Sequence, residues 1–130
     1  MKKLGFGCMR FPTIEKNGEK EFDIEQIKDM VDSFLEQGFT YFDTAYVYKD
    51  SEVTVKQALV DRYPREKYLL ATKLPTSILT KDEDLERIFS EQLERTGAGY
   101  FDYYLIHCLN TKLYETATRL NAFEFAMQKK

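Results

Sequence analysis

Four short apolar runs, at residues 4–9, 39–43, 68–72 and 100–106, recur with helical patterns between them. After Asp23 the apolar residues Ile24, Ile27, Met30, Val31, Phe34 and Leu35 fall at helical spacing. Gly38 then stands where a left-handed C-terminal cap belongs. A second helix is expected from Ser51 to about Val60, and Pro64 forbids its continuation. A third follows Thr80, with Glu83 three residues on as its capping-box partner. Its apolar face is Leu85, Ile88, Phe89 and Leu93, and Gly97 and Gly99 end it. Residues 13–21 are polar, hold Asn17-Gly18, and predict a turn between the first strand and the first helix. Beyond His107 the pattern loosens. Residues 109–119 read as a long loop or short helix, and residues 122–130 as the start of a further helix.

Strands that alternate with helices argue for βαβ units and a parallel α/β sheet. Four such units fit an open doubly wound sheet or half of a closed eight-stranded barrel. Periodicity does not choose between them. A dinucleotide-binding sheet carries G-x-G-x-x-G after its first strand and opens a helix there. Gly5-Phe6-Gly7-Cys8-Met9-Arg10 lacks the third glycine, and no helix follows directly.

Composition narrows the partners. A net charge of -3 gives no electrostatic footprint for nucleic acid or an anionic membrane. No apolar run approaches the ~18 residues of a transmembrane helix, and Met1-Lys2-Lys3-Leu4-Gly5 lacks the apolar stretch of a signal peptide. The expected compartment is the cytoplasm. Cys8 and Cys108 make no disulfide framework and are expected as reduced thiols. One histidine, two cysteines and scattered carboxylates show no zinc spacing, so no metal site is expected.

Polar residues close three of the four runs: Asp43, Lys73 and His107, with Tyr48 five residues beyond Asp43. In parallel β/α folds the C-terminal strand ends carry the active site. Singly, each has a structural reading: Asp43 as a strand-end cap, Lys73 as a solvated charge, His107 as a satisfied structural group, Tyr48 as one of nine tyrosines. Jointly they suit carbonyl reduction, which needs a proton donor to the oxygen as hydride reaches the carbon. A tyrosine hydroxyl can donate, and an adjacent ammonium stabilises the phenolate left behind. Asp43 would hold Lys73, and His107 would orient the substrate oxygen. A Cys108–His107 nucleophile pair is disfavoured, because successive strand side chains point to opposite faces. Lys73 as a Schiff-base lysine fits less well with the Asp, Tyr and His companions.

Four segments then resemble the aldo-keto reductases. Gly5-Phe6-Gly7-Cys8-Met9-Arg10 is similar to their first strand. Phe42-Asp43-Thr44-Ala45-Tyr46-Val47-Tyr48, followed by Ser51-Glu52, is similar to the signature around their catalytic Asp and Tyr. Leu70-Ala71-Thr72-Lys73 resembles their lysine strand, and Asp102-Tyr103-Tyr104-Leu105-Ile106-His107 their histidine strand. The family commonly has glycine soon after the tyrosine, where Lys49-Asp50 stand here. The resemblance implies a single unit, residues 1–130, comprising the first four β/α units of a (β/α)₈ TIM barrel: an incomplete half barrel. It implies catalytic roles for Asp43, Tyr48, Lys73 and His107, with Tyr48 as general acid or base. It places Gly7, Cys8, Met9 and Asp43 near the nicotinamide and its ribose. NADP is the implied cofactor, NADPH ahead of NAD, and the substrate a small carbonyl compound or alcohol.

Members of the family are longer, and their phosphate- and adenine-binding residues lie in the second half. A second reading follows: a truncated or half-barrel chain without activity, a fragment or assembly module that self-associates or pairs with the missing C-terminal half. Glu91-Gln92-Leu93-Glu94-Arg95 with Phe101-Asp102-Tyr103-Tyr104 further resembles bacterial members predicted to carry a C-terminal ferredoxin-like iron–sulfur segment. Two distant cysteines cannot supply such a cluster, which the resemblance reserves for a longer form.

Overall fold

The computed structural model describes residues 3–129. In chain order its elements are β1 (Gly5–Gly7), the hairpin β2 (Thr13–Lys16) and β3 (Glu19–Phe22), α1 (Ile24–Glu36), β4 (Tyr41–Asp43), α2 (Ser51–Val55), β5 (Leu69–Leu74), α3 (Glu83–Thr96), β6 (Tyr103–Ile106), α4 (Thr111–Arg119) and α5 (Ala122–Gln128). Each of the four apolar runs gives one strand, β5 extending past its run to Leu74, and the four pair in parallel in the order β1-β4-β5-β6. Gly7, Asp43, Ala71 and Tyr103 stand in register across the sheet.

Alternation along the strands divides the sheet into two unlike faces. Phe42, Leu70 and Leu74 are buried on one face, where Ile27, Val31, Leu59 and Ile88 of the helical layer complete two apolar clusters. Each large side chain removed from water there contributes about 1.5–3 kcal/mol before entropy is counted. The other face carries Gly7, Tyr41, Asp43, Lys73, Tyr103 and Leu105. Tyr103 and Leu105 remain 48% and 38% exposed. Parallel sheets are ordinarily covered on both faces; among the described residues this one is covered on one.

The helix ends follow the expected chemistry with one exception. The Asp23 carboxylate accepts from the Gln26 amide at 3.1 Å, and Gly38 closes α1 at φ +77° while donating to Leu35 O. The second helix widens after Val55, and a π-type turn over Lys56–Val60 is closed by the Asp61 amide on Lys56 O at 2.9 Å. At the start of α3 the partner of Thr80 is Asp84, not Glu83. The Thr80 amide and hydroxyl both donate to the Asp84 carboxylate, at 2.9 and 2.7 Å. The segment after His107 is helical: Asn110 caps α4 through the Leu113 amide at 3.0 Å, and α5 follows. Residue 130, the end of the expected last helix, lies outside the described residues.

Residues 13–21 hold more than a turn. They pair as an antiparallel hairpin, with Asn17 and Gly18 both at positive φ, as a tight hairpin connection requires. Both strands are almost wholly exposed and largely charged. The apolar alternation that announces a strand is therefore missing from them.

Candidate active site

Parallel pairing brings Asp43 to the end of β4 and Lys73 to the neighbouring strand, both on the open face. The strand runs on through Lys73 to Leu74, so the lysine lies inside β5 rather than just past it. Tyr48 sits in the turn between β4 and α2, its amide on Ala45 O at 3.1 Å. His107 follows β6 directly, held by its amide on Leu74 O at 3.0 Å and by the Thr76 hydroxyl on its carbonyl at 2.7 Å.

These four side chains converge. The Lys73 ammonium donates to the Asp43 carboxylate, to the Thr44 carbonyl at 2.7 Å and to the Tyr48 hydroxyl at 3.2 Å. It also lies 4.7 Å from the centroid of the Tyr48 ring. The His107 imidazole meets that ring edge-on, with centroids 5.6 Å apart. Partial burial, reinforced by the Lys73 charge and opposed by Asp43, holds His107 below the ordinary histidine value. It is therefore neutral near pH 7 and offers one N–H to an oxygen at the rim.

The tyrosine turn is anchored from below. The Ser51 hydroxyl donates to Cys8 O at 2.8 Å and lies 2.8 Å from the Thr44 hydroxyl, all of it buried. Asp50 adopts φ +51°, the left-handed conformation that glycine takes most easily. The turn thus keeps a glycine-like shape with an aspartate in place.

Of the three first-strand candidates for a cofactor, two face outward. Gly7 is exposed, a Cβ built there meets nothing within 4 Å, and Asp43 is its register partner. Met9 is 58% exposed. Cys8 is turned inward. Its amide donates to Asp43 O at 2.8 Å, its carbonyl accepts from Ser51, and its thiol lies against Phe6 O. Burial first, then the Asp43 charge, pushes that thiol up to about 12. Cys108 is exposed, and both cysteines are free.

A second polar cluster beneath the site was not read from the sequence as functional. Glu52, Thr72, Gln92 and Tyr104 join through hydrogen bonds on the helix-covered side of the sheet. Gln92 lies four residues after Ile88, on the apolar stripe of α3, and a polar residue on such a stripe is the signal that could have marked it. Among the described residues no group of three or more His, Cys, Asp or Glu side chains could hold a metal ion, and no helix is long and apolar enough to cross a membrane.

Residues 3–126 match the aldo/keto reductase family. An aldo-keto reductase of Mycolicibacterium smegmatis is 34% identical over 83 residues, covering 64% of this chain and 30% of that protein. The glycerol 2-dehydrogenase (NADP(+)) of Saccharomyces cerevisiae is 35% identical over 74 residues, covering 56% and 22%. The crystal structure of an aldo-keto reductase from Klebsiella pneumoniae in complex with NADPH superposes with a TM-score of 0.64 at 24% identity, over 92% of this chain and 41% of that one. The chain spans less than half the length of each of the three.

Proposed function

The chain belongs to the aldo/keto reductase family, and from that premise we propose that it supplies the acid–base half of a hydride transfer between NADP(H) and a small carbonyl compound or alcohol. The observation that carries this reading is the Tyr48 hydroxyl 3.2 Å from the Lys73 ammonium, with that ammonium anchored on Asp43. In the reducing direction Tyr48 gives its proton to the substrate oxygen. Lys73 stabilises the phenolate left behind, and Asp43 balances the lysine charge and keeps it aimed. The neutral His107 donates its N–H to the same oxygen and turns the carbonyl toward the open face. In the oxidising direction the phenolate takes the alcohol proton back. Positioned proton transfer of this kind contributes about 10²–10⁴-fold to rate.

The exposed, side-chain-free surface at Gly7 beside Asp43 fits a flat ring lying against the first strand. Gly7, Met9 and Asp43 would border it, and Cys8 would support it from behind. A nicotinamide bound there supplies or accepts the hydride. NADP is preferred to NAD because NADP(+) and NADPH are named for two of the similar proteins. Residues 1–130 form, on this reading, the N-terminal half of a (β/α)₈ barrel domain. The parallel sheet, its exposed Tyr103 and Leu105, and the fraction of each relative that is covered support it. An iron–sulfur cluster would require a longer form, since two distant cysteines cannot hold one.

The exposed face also favours the second reading, in which the chain alone is a silent half barrel that pairs with a second copy or a complementary half. One substitution tests the chemistry. In a form that turns over, Tyr48→Phe is expected to cut aldehyde reduction at least ~10²-fold, while NADPH fluorescence still reports binding. Unchanged turnover removes Tyr48 from the acid role.

A further inference from the structure

The polar cluster under the site is built from residues that do not reach the open face. Glu52 of α2 is 2% exposed, and Thr72 of β5 and Gln92 of α3 are fully buried. Glu52 Oε1 accepts from the Thr72 hydroxyl at 2.8 Å and from the Gln92 side-chain amide at 3.0 Å. The same amide lies 3.1 Å from the main-chain carbonyl of Lys73 and donates to it. On the far side, the Tyr104 hydroxyl of β6 donates to Gln92 Oε1 at 2.8 Å.

The members of this cluster are neighbours in sequence of the groups on the rim. Tyr48 precedes Glu52 by about one helical turn, Lys73 directly follows Thr72, and His107 comes three residues after Tyr104. Three chain segments that carry the candidate acid, its ammonium and the imidazole are thus tied to one amide. The tie is costly. Glu52 Oε2 is buried with no hydrogen bond, its nearest cation is Arg95 at 3.7 Å, and burial raises the carboxyl above its ordinary range. Leu85 and Ile88 on the same face of α3 show that apolar side chains fill such positions readily. Polar groups in a dry layer rigidify what they join when they are paired.

We propose that Gln92 and Glu52 are positioning residues: their amide–carboxylate bridge fixes the Lys73 main chain against the Tyr48 turn and the His107 strand, so that the ammonium stays between Asp43 and Tyr48. Neither residue touches the reacting groups. The consequence for turnover rests on the reductase reading; the placement of Lys73 does not.

The test is the NMR signature of the Tyr48 ring in the 130-residue chain, assigned by its disappearance in Tyr48→Phe. In the wild type, nuclear Overhauser effects are expected between the Lys73 ε-methylene and that ring. Gln92→Met keeps the side-chain length and removes the amide. In it those effects are lost and the Tyr48 ring signals move. Glu52→Gln keeps an oxygen that can accept from Thr72 and Gln92, and retains them. A folded Gln92→Met protein with wild-type Lys73–Tyr48 effects overturns the proposal. If Gln92→Met does not fold, Tyr104→Phe, which deletes one hydroxyl, is read in the same way: shifted Tyr48 signals support the bridge and unchanged signals overturn it. These readouts need neither cofactor nor turnover. Full turnover by Tyr48→Phe would sink the acid role of Tyr48 alone, and an unmoved Tyr48 ring in Gln92→Met would sink the bridge alone.

Discussion

At the scale of single residues, the site is a charge problem with one dominant cation. Lys73 faces Asp43, the Thr44 carbonyl and the Tyr48 ring, and its charge helps hold His107 low. An unfolded histidine titrates near 6.5; the native imidazole titrates below that. Between the two values the unfolded chain binds more protons, so this group's effect is to lower stability as pH falls through 6.5, with none above it. Lys73→Met removes a cation and leaves Asp43, so the His107 midpoint, followed by its ring proton signals, is expected to rise; a fall would contradict the assigned cause. The cysteines give a second check. Cys108 is exposed, whereas Cys8 is buried with its thiol pushed up to about 12. Iodoacetamide on the native protein should therefore label Cys108 and spare Cys8, as peptide mass spectrometry would show. Asp43, Lys73 and His107 were legible because each stands at or just beyond an apolar run, whereas Tyr48, one of nine tyrosines, stood out only beside them. Glu52 and Gln92 were not legible, since a carboxylate or amide on a helix usually signals solvent, and only the packing of α2 and α3 on β5 makes them interior.

At the scale of elements, local chemistry decided more than propensity. The end of α1 was readable because Gly38 has a conformation that other residues avoid. The Thr80 cap was misread by one residue: the partner is Asp84, one residue beyond the capping-box position. The hairpin was half readable. Asn17-Gly18 fixed the reversal, but strands made mostly of Glu and Lys leave no apolar alternation. Its stability therefore rests on the turn, on backbone pairing and on Phe22, whose ring meets Phe11 edge-on at 5.6 Å. Gly18 stands at φ +82° with open space around it, so Gly18→Ala meets no clash and feels backbone strain alone. A loss of about 1 kcal/mol is expected, visible as a lower urea midpoint or as faster amide exchange confined to residues 13–22. No change in either would mean that the hairpin's conformation is set by something other than its turn.

At the scale of the molecule, one face of the sheet and the outer edges of β1 and β6 stay unpaired among the described residues. Unpaired edges beside exposed Tyr103 and Leu105 are adhesive. The 130-residue chain is expected to sediment as a concentration-dependent mixture of monomer and larger species; a monomer at every concentration would show that the face is self-sufficient. That the strands form a parallel sheet was legible from the alternation of runs and helices; their order was not, since a doubly wound sheet and a barrel order them differently. Whether the sheet closes was not, because a strand in an open sheet and a strand in a barrel share one period of two. The order itself has a consequence for birth of the fold. Since β1, β4, β5 and β6 lie side by side as they lie along the chain, every strand after the first emerges from the ribosome with its neighbour already made. Translation can lay these four strands down one at a time, with β1 as the template on which β4, then β5, then β6 is added.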